Sequence, residues 1–385
     1  MEFALSEDQL AVKETAERFA RERLAPGYQK REDDGKMDRG LMREMGELGL
    51  IAPDIPEKHG GLGLEFATAG MVAESISYGD FGFSYVQLLA SLMGHILVDY
   101  ANSDIVSEWV PKMVSGEKIV ALGLTEPRGG SDAANLILRA EKSGNGYVLN
   151  GEKASISFST QSDAMVVFAR TGEPEDKGRG VSAFFVDMSE KGVSRTAYND
   201  LGTKTVGRGS IHFDDVHVTA DCLLGQEGEG FRQIMNGFDY SRAFIGLQCL
   251  GATQASLDEA WQYTTEREAM ERPIAQYQGV TFPLAEAETL LTAARLLCYK
   301  TLWLRDHGKP HTSEAAMCKW WVPKTCVDVL HSCILTHGHL GYTMDMPHQQ
   351  RMRDVMGLEI GDGTAQIMKM IVAREKIGRV AVQYG

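Results

Sequence analysis

The chain has 385 residues, 43% hydrophobic and 24% charged, enough to bury a large core and to form two or three domains. Its formal net charge of −14 argues against nucleic acid, whose binding needs basic stripes. It leaves room for a small anionic ligand held by local arginines or helix N-termini.

The N-terminus, from Met1 to Asp8, carries no basic segment leading into an apolar run and no Arg-rich transit pattern, so no targeting segment is expected. No apolar run approaches membrane-spanning length, and no short-period repeat is present. The six cysteines (Cys222, Cys249, Cys298, Cys318, Cys326, Cys333) show no C-x-x-C and no zinc spacing. Reduced, buried thiols, a cytoplasmic protein and no metal are the expectation.

Residues 1–117 read as a helical domain. Ser6-x-x-Gln9 is a capping-box candidate, followed by Val12, Ala16, Phe19 and Ala20 at helical spacing. Leu41–Leu50 is amphipathic and is closed by Gly49, Pro53 and Pro56. Gly60 to Gly63 marks a loop, and Phe66–Tyr78 and Phe83–Tyr100 read as buried helices. Residues 118–224 change texture to short β-rich runs. Leu136–Glu141 and Tyr147–Asn150 form a hairpin across Ser143-Gly144-Asn145-Gly146, followed by Met165–Ala169, Val181–Val186, Gly192–Thr196 and Ser210–Val218. A small barrel or sandwich is expected. In residues 225–385 the helical period returns over Gly230–Ala269, Phe282–His307, Ser313–Thr336 and Thr364–Val380, which reads as a four-helix bundle. Pro323 should kink its helix or mark its first turn. The fold class is α+β multidomain.

Four stretches carry chemistry. An apolar, helix-period segment stops at Gly361-Asp362-Gly363, and another starts at Thr364. A carboxylate there can N-cap the next helix, or stand over a cavity with backbone N–H groups near a ligand. Leu122 to Asp132 is a glycine-rich loop with hydroxyls, suited to close backbone approach to a polar ligand. Gly151 to Ser157 sets Ser155 and Ser157 on a strand. Phe238-Asp239-Tyr240-Ser241-Arg242 places a helical Arg beside an Asp, a pairing that also serves as a structural bridge.

These motifs resemble the acyl-CoA dehydrogenase family over essentially the whole chain. The C-terminal pattern is R-D-x5-I-x-[carboxylate]-G-T-x-x-I, from Arg353 to Ile367, and the loop pattern is T-E-P-x-x-G-S-D, from Thr125. The resemblance implies FAD as cofactor and an acyl-CoA as substrate. It puts Asp362 at the position of the base, normally Glu, that takes the α-proton, with Gly363 beside the substrate. It implies flavin-edge contacts from Thr125, Leu122, Leu124 and Gly130, and a CoA or phosphate contact from Ser131. Ser157 takes the position that reaches flavin N5. Ser155 stands where an aromatic ring usually packs on the flavin. Asp239 and Arg242 would hold the CoA adenosine end. Arg267 and Gln278 would touch FAD across a subunit interface, where Met270 and Glu271 depart from the family pattern. Gly338 lies in a turn where Leu335 and His339 depart. Thr364 and Gln366 would meet the FAD phosphates.

An α-proton of a thioester is weakly acidic, so its removal needs a positioned carboxylate and hydrogen bonds to the enolate oxygen. Asp is shorter than Glu by ~1.5 Å, and Gly361 replaces a usual bulky aromatic. The lost volume implies a wide, branched or cyclic acyl group, and the sequence is similar to the cyclohexane-1-carbonyl-CoA branch. Alternatives are a straight-chain acyl-CoA dehydrogenase, an oxidase of the nitroalkane type with an Asp base, or a non-catalytic acyl-CoA-binding protein. Family behaviour implies a homotetramer and an electron-transfer flavoprotein as acceptor, with no nucleic-acid or membrane partner.

Overall fold

The computed structural model describes residues 4–381. Helices α1 (Glu7–Phe19), α2 (Tyr28–Asp34), α3 (Arg39–Glu47), α4 (Phe66–Gly79), α5 (Phe81–Tyr100) and α6 (Ser103–Val114) come first. The expected capping box opens α1: Ser6 Oγ accepts from Gln9 N, and Gln9 returns the contact to Ser6 N. Asp80 caps α5 through the N–H groups of Gly82 and Phe83 and is paired with buried Arg31. The expectation that no apolar run reaches membrane-spanning length is corrected by α5. It is 20 residues long and holds a window of mean hydropathy 1.5, but that window is 89% buried within the protein. The apolar residues of α5 face α4 and α7 from both sides, so a core helix and a spanning helix share one composition.

The middle region is one eight-stranded sheet: β1 (Val120–Gly123), β2 (Arg139–Ser143), β3 (Gly146–Ile156), β4 (Ala164–Arg170), β5 (Val181–Asp187), β6 (Val193–Ala197), β7 (Gly209–Thr219) and β8 (Leu223–Leu224). The order is β6-β7-β3-β2-β4-β5-β8, with β1 parallel to β4. β2 and β4 share a single register pair, Arg139↔Arg170, and the sheet folds over itself there. Its core draws Leu149, Ile211 and Phe213 from one half and Val167, Phe184 and Val186 from the other. The strands form an open path, so this is a folded sheet and not a hydrogen-bonded closed barrel.

The C-terminal region holds α7 (Gly230–Glu266), a short ribbon of β9 (Glu268–Ala269) and β10 (Arg272–Pro273), then α8 (Gln278–Asp306), α9 (Thr312–His337), α10 (His348–Ile360) and α11 (Ala365–Ile377). Among the described residues five helices stand where four were expected, because the segment before Gly361 is a full helix of its own. Pro323 lies mid-helix in α9, well past its first turn. Asp354 ties the three regions together on α10, accepting from Tyr28 OH of α2 and from Thr203 N of the loop before β7. Its neighbour Arg353 pairs with Glu32.

Candidate active site

A cavity of about 670 Å³ opens where β1 and β3 meet α5, α7 and the α10–α11 break. The break itself follows from the backbone. α10 ends at Ile360, Gly361 is extended (φ −61°, ψ 156°), and Asp362 and Gly363 take φ of 56° and 109°. Left-handed backbone suits glycine, and Asp is among the few other residues that adopt it readily. Thr364, not Asp362, caps α11, with its Oγ1 accepting from Ile367 N at 3.4 Å. The capping role open to Asp362 is thus filled by its neighbour, and Asp362 lines the cavity half-buried.

Burial holds the Asp362 carboxyl above the usual carboxylate range, and the nearby cations Lys319, Arg242 and Arg208 pull it back down. Arg242 lines the cavity from α7 and is 6% exposed. Its Nη1 lies 3.4 Å from Asp239 Oδ1, while its buried Nε has no partner among the described residues. Asp239 does not line the cavity; its other oxygen accepts from Thr312 OH at 2.6 Å, so it acts as a holder of Arg242. Arg208 pairs with Asp200 at 2.8 Å and also donates to Thr203 Oγ1 at 3.2 Å and Tyr85 OH at 3.4 Å.

Across the cavity stand Leu122, Leu124 and Thr125 from the end of β1, Ser155 from β3 and Ser157 from the turn just after it. Thr125 O accepts from Ala154 N, joining the two loops. β3 changes register between Lys153 and Ile156, with Ser155 at φ 57°, and the irregularity turns this serine onto the cavity. Gly130 and Ser131 are exposed at the rim. A buried ion pair fixes this wall. Lys153 Nζ donates to Glu126 Oε1 at 2.9 Å and to Leu124 O at 3.1 Å, and Glu126 accepts from the N–H groups of Ile137 and Leu138.

The cavity therefore brings together Asp362, Gly363, Thr364 and Arg242 with Leu122, Leu124, Thr125, Gly130, Ser131, Ser155 and Ser157. It does not include Arg267, Gln278, Gly338 or Gln366, all exposed. Arg267 and Gln278 flank the β9–β10 ribbon. Tyr263 stacks on His337 at 4.4 Å, which sets the end of α7 beside the end of α9 and Gly338. Sequence reasoning missed Arg208, Lys319, Lys153 and Gly357. Gly357 stands one helical turn before Gly361, both line the cavity, and a Cβ at either position would meet no atom within 3.5 Å. Lone charges in apolar or glycine-flanked stretches, Ala315–Val322 and Gly207-Arg208-Gly209, were the available signals.

A second cavity, about 730 Å³, lies between α1, α4, α7 and α8. Its buried acid is already matched, with Glu74 held by Arg295 at 2.6 Å and by Tyr299 OH at 2.7 Å. None of the motif residues reaches it, so the chemistry sits in the first cavity.

Family models match three segments in order: "acyl-CoA dehydrogenase, N-terminal domain" over residues 6–117, "middle domain" over 121–216 and "C-terminal domain" over 228–377. The chain is 33% identical over 372 residues to the rat mitochondrial short-chain specific acyl-CoA dehydrogenase, covering 96% of this chain and 90% of the relative. It is 31% identical over 378 residues to benzylmalonyl-CoA dehydrogenase of Aromatoleum aromaticum, covering 97% and 99%. Among solved structures, butyryl-CoA dehydrogenase of Megasphaera elsdenii matches with a TM-score of 0.94 at 28% identity, covering 98% of this chain and 100% of that one. A glutaryl-CoA dehydrogenase in complex with glutaryl-CoA matches at 0.95 and 28%, covering 100% and 99%.

Proposed function

The chain belongs to the acyl-CoA dehydrogenase family, and from that premise we propose that it oxidises a branched or cyclic acyl-CoA, such as cyclohexane-1-carbonyl-CoA to the 1-ene, with Asp362 as base. Family membership makes it a FAD-dependent oxidoreductase acting on an acyl-CoA. The carrying observation is the glycine-framed Asp362, aimed into a cavity whose α10 wall is opened by Gly357 and Gly361.

The cavity residues fit the redox end of FAD. Hydroxyls of Thr125 and Ser157 and the backbone at Leu122 and Leu124 offer polar contacts to a flat heteroaromatic ring, in a space of the usual ligand-pocket size. When bound, FAD supplies the acceptor for the β-hydride. Asp362 removes the α-proton. Ionised, its carboxylate balances part of the positive charge of Arg242, Arg208 and Lys319; once protonated, it leaves those cations free to stabilise charge on the thioester oxygen. Arg242 lines the same space and is our choice for contact with the CoA thioester arm, steadied by Asp239. Ser131 at the rim suits the CoA or phosphate contact. α11 starts at the cavity under its Thr364 cap, so its N-terminal dipole favours negative charge there. Arg267, Gln278, Gly338 and Gln366 lie off this cavity, which supports a second copy of the chain receiving the adenine end of its FAD from them. On this reading the protein is a homotetramer in the cytoplasm and passes electrons to an electron-transfer flavoprotein.

The test is anaerobic bleaching of the purified flavoprotein by a panel of straight, branched and cyclic acyl-CoAs. Fast bleaching by the cyclic thioester, with butyryl-CoA slow, is the expected result. The reverse preference removes the wide-acyl reading and leaves a straight-chain enzyme.

A further inference from the structure

We propose that Lys319 is the positioning residue for the base: its ammonium clamps both flanks of the chain break that carries Asp362 and sets a positive charge near that carboxylate. This deepens the acyl-CoA dehydrogenase reading and rests on it. Lys319 projects from α9 and is fully buried. Nζ donates to Leu358 O at 2.5 Å and to Gly363 O at 3.1 Å.

The two carbonyls have different origins. Leu358 lies in the last turn of α10, where carbonyls have no partner within the helix and where a cation also meets the negative end of the helix dipole. Gly363 directly follows the base. One ammonium therefore fixes the chain four residues before Asp362 and one residue after it, across two successive positive-φ residues. Without it, the contacts within the break are Gly361 N to Gly357 O at 3.1 Å and the Thr364 cap.

Charge makes the position expensive. A buried ammonium satisfied only by backbone carbonyls loses its hydration without gaining a carboxylate contact. A site that needed only volume would hold Leu or Met. What the ammonium gains is proximity to Asp362, and it leads the groups that pull the Asp362 carboxyl down against burial. The others facing that carboxyl are Arg242 from α7 and Arg208 from the start of β7, while Tyr85 from α5 feels its charge. Glu359 of α10, Cys249 of α7 and Arg242 face Lys319 itself.

The test compares wild type, Lys319→Met, Lys319→Gln and Asp362→Asn as FAD-loaded proteins, reading FAD content, acyl-CoA affinity and the pH profile of anaerobic flavin reduction. Lys319→Met should hold FAD and acyl-CoA, reduce its flavin roughly 100-fold more slowly, as expected for a misplaced catalytic group, and show its acid limb at higher pH. Lys319→Gln, which keeps one donor, should fall between. An unchanged rate and acid limb in Lys319→Met, with Asp362→Asn inactive, overturns the clamp and leaves the base assignment standing. Full flavin reduction by Asp362→Asn overturns the base assignment itself. Should neither Lys319 variant hold FAD, infrared titration of the wild-type Asp362 band, identified by its absence in Asp362→Asn, decides. A carboxylate at pH 7 supports the clamp, and a protonated acid there overturns it.

Discussion

Two fully buried lysines stand behind the cavity, one under its β wall and one under its helical wall, and they are anchored differently. Lys153, in the β wall, bonds a carbonyl and a carboxylate, Leu124 O and Glu126. Lys319, in the helical wall, bonds two carbonyls and no carboxylate. Burial pushes both ammonium groups down to about 8, and the charges that oppose this are Glu126 in direct contact for one and Asp362 without contact for the other. The first lysine completes a structural pair that shapes the loop from Leu124 to Leu138. The second leaves its counter-charge free to face the cavity, where a carboxylate that must accept a proton cannot also be tied up in a salt bridge.

The largest expected effect comes from breaking the paired side. Glu126→Gln strips buried Lys153 of its counter-charge and removes a strong acceptor from Ile137 and Leu138, so it should cost about 3–5 kcal/mol of stability. Denaturant unfolding would read this directly, with FAD content falling in parallel. The Lys319→Met change should leave the melting temperature near that of wild type while slowing chemistry, because apolar replacement of an unpaired buried charge relieves desolvation. Equal destabilisation on both sides would erase the distinction. A smaller effect is expected at Gly363, the carbonyl held by Lys319. With φ 109° and a Cβ that would stand 2.5 Å from Met368 Cε, Gly363→Ala should destabilise by about 1 kcal/mol or more and slow flavin reduction.

A further effect concerns pH. Burial raises Asp354 to about 7. A carboxyl raised on folding adds stability fully present below its unfolded value and lost as pH rises through its folded one. The window therefore runs from about pH 4 to pH 7. Asp354→Asn should flatten that decline, so its melting temperature relative to wild type should be better at pH 8 than at pH 5, by roughly 2 °C or more. An unchanged difference across that range would mean Asp354 does not titrate there.

Much of this was legible in the sequence because it is local. The capping box at Ser6, the period of α4, α5, α7, α8 and α9, and the turn between β2 and β3 depend on neighbours a few residues apart. The glycines around Asp362 advertised a break between helices. What was hidden depends on contacts made only in the folded chain. Lys319 meets Gly363 from 44 residues away, and Lys153 meets Glu126 from 27. Neither distance has a pattern in one dimension. Asp362 and Thr364 are both residue types that cap helices, and only the backbone decides that Thr364 takes that role. Gly357 looks like an ordinary helix residue until Gly361, four positions on, is seen to share its cavity face. The start of α5 is set by the Asp80 cap, which a hydropathy window does not register.

The most direct test of the central claim is anaerobic flavin reduction by a bleaching acyl-CoA in wild type and Asp362→Asn, each loaded with FAD and saturated with thioester. Asn keeps the shape and loses the base. The account predicts that the variant binds both ligands and that its flavin stays oxidised on the wild-type timescale, with a loss of roughly 10²–10⁴-fold in rate. Reduction of the Asn variant at the wild-type rate would contradict the account and place the base elsewhere in the cavity.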